Sequence, residues 1–521
     1  MLCTIARPCR PKRAALIIKH LQIPMSDTQN TAQAIPELSV AHVLRTPRLL
    51  MRESLAGILT ALALIPEVIS FSVIAGVDPK VSLVASIVLC FSMSILGGRP
   101  AMVTAAAGSV ALVIGPMVHQ HGVGYILPAL VLGGIIQILF GLFGLARMMR
   151  YIPRSVMTGF VNALGILIFM AQVPHVWGQS PMVWLLFAAT LAIVLLLPRV
   201  TKSVPSPLVA IVAVTVIAWA CGLMPPTVGD EGPMTPGLPG FNSLLVPLNL
   251  ETLHIVWPCA LSIAFVGLME SLLTARLVDD ITDTPSSKRR ECWGLGVANI
   301  LSGFYGGIGG CAMIGQTVVN VELGRARSRF STLAAALVLL LMVTGLSAVM
   351  AQIPMVVLAG IMMVVAAKTL NWHSIAPATL KRMPVSETLV MAVTVIATVW
   401  TGNLAIGVAG GVLFAMMLFA RRVAHVVRAE REVIDNGAAV RYRVRGPLFF
   451  ASSNDLYEHF RYAEDPARVI IDLTHAQIWD ASTVAALDAI ETHYQRYNAK
   501  VEIEGLDMRS HDFHQRLSGK L

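Results

Sequence analysis

Two carboxylic acids, Glu67 and Glu270, each stand inside a long apolar run, and each is followed by a Gly-Gly break, at Gly97-Gly98 and at Gly306-Gly307. A charge inside hydrocarbon is costly and is kept where it binds or relays an ion, so these two acids mark the expected working site. Glu270 and Thr274 are four residues apart and share one helix face. A carboxylate with a hydroxyl and nearby helix-break carbonyls suits a sodium ion, whereas a buried carboxylate alone suits a proton. Either cation could drive an anion inward against an inside-negative potential. Glu67 follows Pro66 and either lines the substrate path or partners another group beside it.

The residues after each break are small: Ala101-Met-Val-Thr-Ala-Ala-Ala-Gly108-Ser109 in the first case, Ile308-Gly-Gly-Cys-Ala-Met313-Ile-Gly315-Gln316 in the second. A helix that begins inside a bilayer points unpaired N–H groups and the positive end of its dipole at the membrane centre, where no water competes. Two such starts facing each other form an anion site that needs no cationic side chain. Ala107, Gly108 and Ser109, with Met313, Ile314, Gly315 and Gln316, are the candidate anion ligands. Small residues let an anion approach the backbone, although the same glycines would also allow tight helix packing.

These residues need a membrane around them. The chain is 55% hydrophobic and 13% charged over 521 residues, and its mean hydropathy of +0.71 excludes a soluble enzyme of this size. Apolar runs near the spanning length of about 20 residues occupy 54–77, 81–96, 124–146, 155–174, 182–198, 206–224, 254–275, 333–351, 354–367, 388–401 and 404–420. Shorter, glycine-broken segments at 104–118, 292–303 and 311–322 bring the total to 14 spans. With the N-terminus in the cytoplasm, 22 cations, from Arg45 to Arg428, fall on the inner rim and Lys80 alone falls outside. That asymmetry supports a multi-pass protein of the cytoplasmic membrane with both termini inside.

The segment Pro225 to Pro247 carries Asp230 and Glu231 and no Lys or Arg, and reads as an external loop between two halves. Each half repeats an acid-bearing helix, a Gly-Gly break and a short helix. Seven spans per half place the second copy in opposite polarity, as an inverted repeat. Residues 1–43 read as an N-terminal cytoplasmic tail, in which Met25 is an alternative start to Met1, and residues 44–428 as the membrane domain. From residue 432 to 521 the chain alternates like a small α/β domain, with strands at 440–445, 469–474 and 500–504 and a helix at 482–496. This part holds 10 Lys and Arg against 14 Asp and Glu, a balance of −4, while the rest holds 29 against 16, a balance of +13. The cationic excess therefore belongs to a rim facing anionic lipid, and no nucleic-acid partner is expected. Asp480 or Ser482 reads as the N-cap of the 482–496 helix, and Ser482 is a candidate for regulatory phosphorylation there.

Seven cysteines, from Cys3 to Cys311, show no CxxC or other metal spacing and read as small apolar fillers. His119, His121 and His175 are expected at external helix ends as solvated bystanders. No metal and no tightly held cofactor are expected, apart from a Na⁺ at Glu270 and Thr274 as a coupling ion. No paired nucleophile and base is legible, so the chain is not expected to be an enzyme.

The quoted motifs resemble those of the SulP family of inorganic anion transporters. Pro66-Glu-Val-Ile-Ser-Phe71-Ser-Val-Ile-Ala-Gly is similar to that family's first-helix motif. Glu270-Ser-Leu-Leu-Thr-Ala, Arg290-Glu-Cys-Trp-Gly-Leu-Gly-Val-Ala-Asn and Gly310-Cys-Ala-Met-Ile-Gly-Gln-Thr-Val-Val-Asn are similar to those of its helices eight, nine and ten. The terminal domain resembles STAS, with Asp480-Ala-Ser-Thr where anti-sigma-factor antagonists carry Asp-Ser-Ser-Gly. The resemblance spans about 44–521 and implies an all-α membrane part of 14 segments, arranged as a 7+7 inverted repeat with core and gate, followed by the α/β STAS domain. It further implies an elevator motion, a homodimer, a cytoplasmic partner of the STAS domain, and an anion held between the starts of helices three and ten, with Glu67 and Phe71 beside it. Two positions depart from the pattern: Gln316 stands where many members carry Arg, and Thr483 where STAS carries Gly. Sodium-dependent bicarbonate carriers of the family share the four-residue spacing of Glu270 and Thr274.

The expected function is secondary transport of a small inorganic anion, bicarbonate or sulfate, coupled to Na⁺ or H⁺. A carrier of organic anions or nucleobases on the same fold stays open at this point, as does a membrane anion sensor that moves nothing.

Overall fold

The computed structural model describes residues 39–144, 152–200, 206–232, 237, 240–241, 246–247, 249–424, 427–450 and 452–520. The expected tail lies outside these up to residue 38, with the alternative starts Met1 and Met25, and so do the rim cations Arg147, Arg150 and Lys202.

In hydrocarbon every backbone N–H and C=O must bond within the protein, so apolar runs of this length become helices. The first half comprises α1 (Val40–Arg45), α2 (Pro47–Ala75), α3 (Pro79–Leu96), β1 (Thr104–Ala106), α4 (Gly108–His121), α5 (Ile126–Leu142), α6 (Arg154–Gln172), α7 (Pro181–Val200) and α8 (Ser206–Ala220). The second half comprises α9 (Leu250–Thr282), α10 (Lys288–Phe304), β2 (Gly310–Ala312) and α11 (Ile314–Val318), which runs on through a wider turn, Val319–Leu323. It continues with α12 (Arg329–Gly345), α13 (Ser347–Met350), α14 (Met355–Thr369), α15 (Trp372–Ile375), α16 (Pro377–Arg382), α17 (Val385–Thr401) and α18 (Leu404–Ala424). Among the described residues, seven helices are long and apolar enough to cross a membrane and four more are shorter apolar helices. The polar-ended α10 and the two strand-helix spans, β1–α4 and β2–α11, complete the 14 segments of a 7+7 repeat. α10 starts four residues before the expected 292, because Lys288, Arg289, Arg290 and Glu291 form a first turn that hydropathy alone leaves out.

Proline and glycine set the punctuation. Pro47 and Pro79 occupy first-turn positions, where a missing N–H costs nothing. Gly76 closes α2 at φ 68°, a left-handed conformation open to glycine without strain. Asn249 opens α9 by accepting the Thr252 N–H at 2.7 Å.

The helices pack in two sets. In one, α12 lies on α2 and α3, α10 lies on α3 and α5, and α9 lies on α4 and α5; in the other, α6, α7, α8, α14, α17 and α18 pack on one another. These are the core and the gate, and they meet where α2 and α9 face α14, α8 and α18. Within the core, two fully buried acids serve the architecture. Glu53 on α2 accepts from the N–H groups of Arg327 (2.8 Å) and Ser328 (3.2 Å), and Glu291 on α10 accepts from the Gly98 N–H (2.8 Å).

Beyond Arg428 the chain forms a four-stranded sheet in the order β3 (Arg428–Ile434), β4 (Ala439–Leu448), β5 (Arg468–Ile478), β6 (Lys500–Glu504). β3 and β4 are antiparallel, and the other two pairings are parallel. Helices α19 (Ser453–Glu458), α20 (Ala481–Arg496) and α21 (Met508–Leu517) accompany it. A hydrophobic cluster of its own, including Tyr442, Leu473, Leu487 and Tyr494, holds this domain together. Inside it the Asp465 carboxylate accepts from the hydroxyls of Tyr442 and Tyr494, each at 2.6 Å, and pairs with Arg431 at 2.7 Å.

Candidate functional site

β1 and β2 are only three residues each and are fully buried, so their backbone groups can find partners only inside the protein. They pair antiparallel, Thr104 with Ala312, Ala105 with Cys311 and Ala106 with Gly310. The pair continues through the Met313 N–H, which donates to the Val103 carbonyl at 2.9 Å.

Side chains of the surrounding helices close its outer edges. On the β1 side, the Ala106 N–H donates to Ser86 Oγ at 3.1 Å, and Cys90 Sγ donates to the Thr104 carbonyl at 3.0 Å. On the β2 side, Asn299 accepts from the Gly310 N–H at 2.9 Å, and Ser271 Oγ accepts from the Ala312 N–H at 2.9 Å. The Val103 N–H donates to Thr317 Oγ1 at 3.0 Å. A Cβ on Gly310 would overlap the Ala105 carbonyl oxygen, so only glycine lets the strands approach this closely.

From this hub the chain leaves at opposite ends of the antiparallel pair into α4 and α11, each with its N-terminal end toward the strands. Met313 lies opposite Val103, four residues before Ala107, so the two N-caps are about 13 Å apart along the strands. The first N–H groups of a helix have no acceptor within it. Here they belong to Gly108 and Ser109 on one side and to Ile314, Gly315 and Gln316 on the other. Ala107 is the N-cap of α4 and Met313 that of α11, both with extended backbone. Ala107, Gly108, Ser109, Met313 and Gln316 are buried, Ile314 is half-buried and Gly315 is exposed. No atom lies within 4 Å of the position a Gly315 Cβ would take, so the site opens on that side. The Phe71 ring closes the other side, 2.7 Å from where a Gly108 Cβ would stand.

The structure brings Glu270 to the first of these helix starts. Its Oε2 accepts from Ser109 Oγ at 2.5 Å and from Cys311 Sγ at 3.0 Å, and those two side chains are 3.6 Å apart. Cys311 was expected only to fill space; instead its thiol is a partner of the central acid. β2 turns this side chain toward α9, an orientation that a single cysteine in a row of small residues does not announce. Thr274 shares the helix face of Glu270 but does not touch its carboxylate. Its hydroxyl lies 2.9 Å from the Glu270 carbonyl and 3.1 Å from the Ala312 carbonyl, which ties α9 to β2. Glu67, half-buried on α2, stands within hydrogen-bonding reach of the Gln316 side chain. Ser271 and Asn299 were also missed; each is polar inside an apolar helix and adjoins the glycine-rich break in space only.

In the terminal domain, Asp480 caps α20, accepting from the Thr483 N–H at 3.1 Å, and its other oxygen accepts from the Phe450 N–H at 2.6 Å. Ser482 is exposed in the first turn of that helix, and Thr483 is buried behind it. His119 and His121 lie in the last turn of α4, and His175 ends a short turn after α6, as the sequence indicates.

Sequence and structure comparisons bear on this arrangement. The model of the sulfate permease family matches residues 50–186 and 178–394, and that of the STAS domain matches residues 430–517. A Bacillus subtilis (strain 168) protein named "Putative sulfate transporter YbaR" is 46% identical over 462 residues, covering 88% of this chain and 95% of its own length. The bicarbonate transporter BicA of Picosynechococcus is 25% identical, over 84% of this chain and 85% of its own. Among solved structures, that of the anion transporter murine Slc26a9 in its inward-facing state has a TM-score of 0.75 at 16% identity, covering 99% of this chain and 96% of that one. The transmembrane domain of a cyanobacterial BicA has a TM-score of 0.62 at 24% identity, covering 70% of this chain and 97% of that domain. Both share the fold.

Proposed function

The chain belongs to the sulfate permease family and carries a STAS domain, and from that premise we propose that it is a secondary transporter of sulfate or bicarbonate driven by protons. The observation that carries this reading is the contact of Glu270 with Ser109 and Cys311, which joins an acid of the second half to the helix start of the first. Anion binding is assigned to Ala107, Gly108 and Ser109 together with Met313, Ile314, Gly315 and Gln316, with Phe71 as a wall and Glu67 positioning Gln316. The departure at Gln316 does not alter this assignment, because the helix starts supply positive potential without an arginine, and Thr483 lies in the STAS domain, away from these residues.

Protons are favoured over sodium by the donor set around Glu270. A hard cation wants converging oxygens, but Oε2 receives a hydroxyl hydrogen and a thiol hydrogen, and the Thr274 hydroxyl faces two backbone carbonyls instead of the carboxylate. A carboxyl that gains and loses a proton on Oε1 keeps both donors on Oε2 throughout. Cys311 acts here as a positioning residue for Glu270.

Transport then proceeds by movement of the core against the gate, the loaded site travelling with the core. The protein works in the cytoplasmic membrane as a homodimer with both termini inside, and Ser482 is available there to a kinase or another cytoplasmic partner.

The test is uptake of labelled sulfate and of labelled bicarbonate into proteoliposomes under a proton gradient, and separately under a sodium gradient at equal pH. Proton-driven accumulation of one anion is expected. Accumulation driven by sodium alone overturns the choice of ion, and accumulation of a nucleobase or dicarboxylate in place of either anion overturns the substrate class.

A further inference from the structure

The connection between the two halves passes from gate to core within two residues. On the gate side it is stitched to the chain that starts α14. The Val228 N–H donates to the Ile353 carbonyl at 2.9 Å, the Gly229 N–H to Ala351 at 2.9 Å, and the Met355 N–H to Pro226 at 2.8 Å. Thr227 and Pro354 form a β-bridge, and Val228 is fully buried. Asp230 closes the turn by accepting from the Thr227 N–H at 2.7 Å and from its hydroxyl at 2.9 Å.

The next two residues lie on the core. Gly232 backs onto Asp78, in the turn between α2 and α3, so closely that a Cβ there would overlap the Asp78 carboxylate. Glu231 lines a cavity of about 480 Å³ whose other walls include Val77, Asp78, His119, Gly306 and Gly307, all of the core. The two attachments differ in kind. Three backbone hydrogen bonds and a buried valine hold the gate side, whereas a glycine face resting on an aspartate, with a second carboxylate beside it, holds the core side. Parting the first would strand backbone groups, whereas among the described residues neither Glu231 nor Gly232 makes a backbone hydrogen bond to the core.

We propose that Pro226–Gly232 is a strap that moves with the gate and closes the core's cavity on this face, and that each transport cycle requires Gly232 to leave Asp78. The proposal rests on the reading above that core and gate move against each other.

Engineered disulfides test it. A Cβ on Gly232 would lie 3.1 Å from that of Asp78, and one on Gly229 would lie 3.3 Å from that of Ala351, each a small relaxation short of disulfide spacing. In a Cys221→Ser background, which removes an exposed thiol, two double variants are reconstituted: Gly232→Cys with Asp78→Cys, and Gly229→Cys with Ala351→Cys. Cross-link formation is followed by peptide mass. The core-side pair is expected to lose anion uptake on oxidation and regain it with dithiothreitol, while the gate-side pair transports equally in both states. Uptake by the oxidised core-side pair at its reduced rate overturns the strap, as does failure of that pair to cross-link, or loss of uptake in the oxidised gate-side pair. A Cys221→Ser chain that accumulates neither anion defeats the transport reading instead, so the two failures are told apart.

Discussion

Ser109 and Glu270 are 161 positions apart in the chain, and the hydroxyl of the first donates to the carboxylate of the second at 2.5 Å. Ser109 is in the first turn of α4, so this hydrogen bond links Glu270 directly to the helix start proposed to bind the anion. The Cys311 thiol on the same oxygen adds β2 to that link. A change at Glu270 is therefore felt at the start of α4 and at β2.

Replacing Glu270 by Gln keeps an oxygen that accepts from Ser109 and Cys311 but removes the exchangeable proton. We expect Glu270→Gln to fold, to bind anion and to lose gradient-driven accumulation in proteoliposomes. Full accumulation by this variant would falsify the coupling role. Glu270→Ala also leaves two donors without an acceptor and is expected to be less stable by about 1–3 kcal/mol, read as a lower melting temperature in detergent.

Cys311→Ala and Ser109→Ala each remove one donor from the same oxygen. Residues of one hydrogen-bond network couple by roughly 0.5–3 kcal/mol, so the double variant is expected to transport differently from the sum of the two singles. Cys311→Ser supplies an O–H in place of the S–H and is expected to restore proton-driven uptake. Additive losses in initial uptake rate, with no rescue by serine, would show that Cys311 only fills space.

Gly108 and Gly315 should respond oppositely to a methyl group. Gly108→Ala presses on the Phe71 ring and is expected to raise KM for anion uptake, with relief on adding Phe71→Leu. Gly315→Ala meets no neighbouring atom, so it should leave the melting temperature unchanged while weakening anion binding by narrowing the open side. Equal losses of stability in both variants would contradict this geometry.

Alkaline pH should weaken the terminal domain. An unfolded tyrosine ionises near pH 10, whereas Tyr462 is pushed up to about 12 by burial. Tyr494 is raised further by burial and by its hydrogen bond to Asp465. Above about pH 10 the unfolded chain releases protons that the folded domain retains, so stability falls as pH rises through this window. Hydrogen exchange of β5 and α20 in the full chain, measured from pH 8 to 12, should show protection lost in the upper half of that range. Tyr494→Phe should make the decline shallower.

Ser482 is exposed beside the Asp480 cap, so a phosphate there would enter the field of the α20 N-terminus without displacing a buried group. Ser482→Asp is expected to alter the uptake rate at unchanged KM, with Ser482→Ala resembling the unmodified protein. Identical rates for both would remove Ser482 from regulation.

Several features were legible because their cause is local. The apolar runs read at 54–77 and 81–96 are the helices α2 and α3, although α2 starts at Pro47, seven residues before the expected 54, and Asp480, one of the two expected caps, caps α20 from a position fixed by the chain itself. The Gly-Gly breaks and the small residues after them likewise announced two interrupted spans. Charged first turns were less legible: α10 begins among Lys288 to Glu291 behind the Ser287 cap, with Arg289 and Arg290 exposed and Glu291 buried, a start that hydropathy does not register. Glu53 and Glu291 show why an acid in an apolar setting is not by itself a functional one. Their oxygens are taken by backbone amides of distant loops, a fact that no spacing records.

By itself the sequence determined the spans and their number and marked Glu270, like Glu67, as an acid inside an apolar run, because hydrocarbon length, helix termination and the cost of an unpaired charge all act along a single segment. Only the tertiary structure decided what that acid touches. Ser109 and Cys311 reach Glu270 because β1 and β2, too short to exist alone, satisfy each other's backbone across more than 200 residues of intervening chain. Such pairing is a contest among all buried donors and acceptors at once, and its outcome exists only when the whole chain has folded.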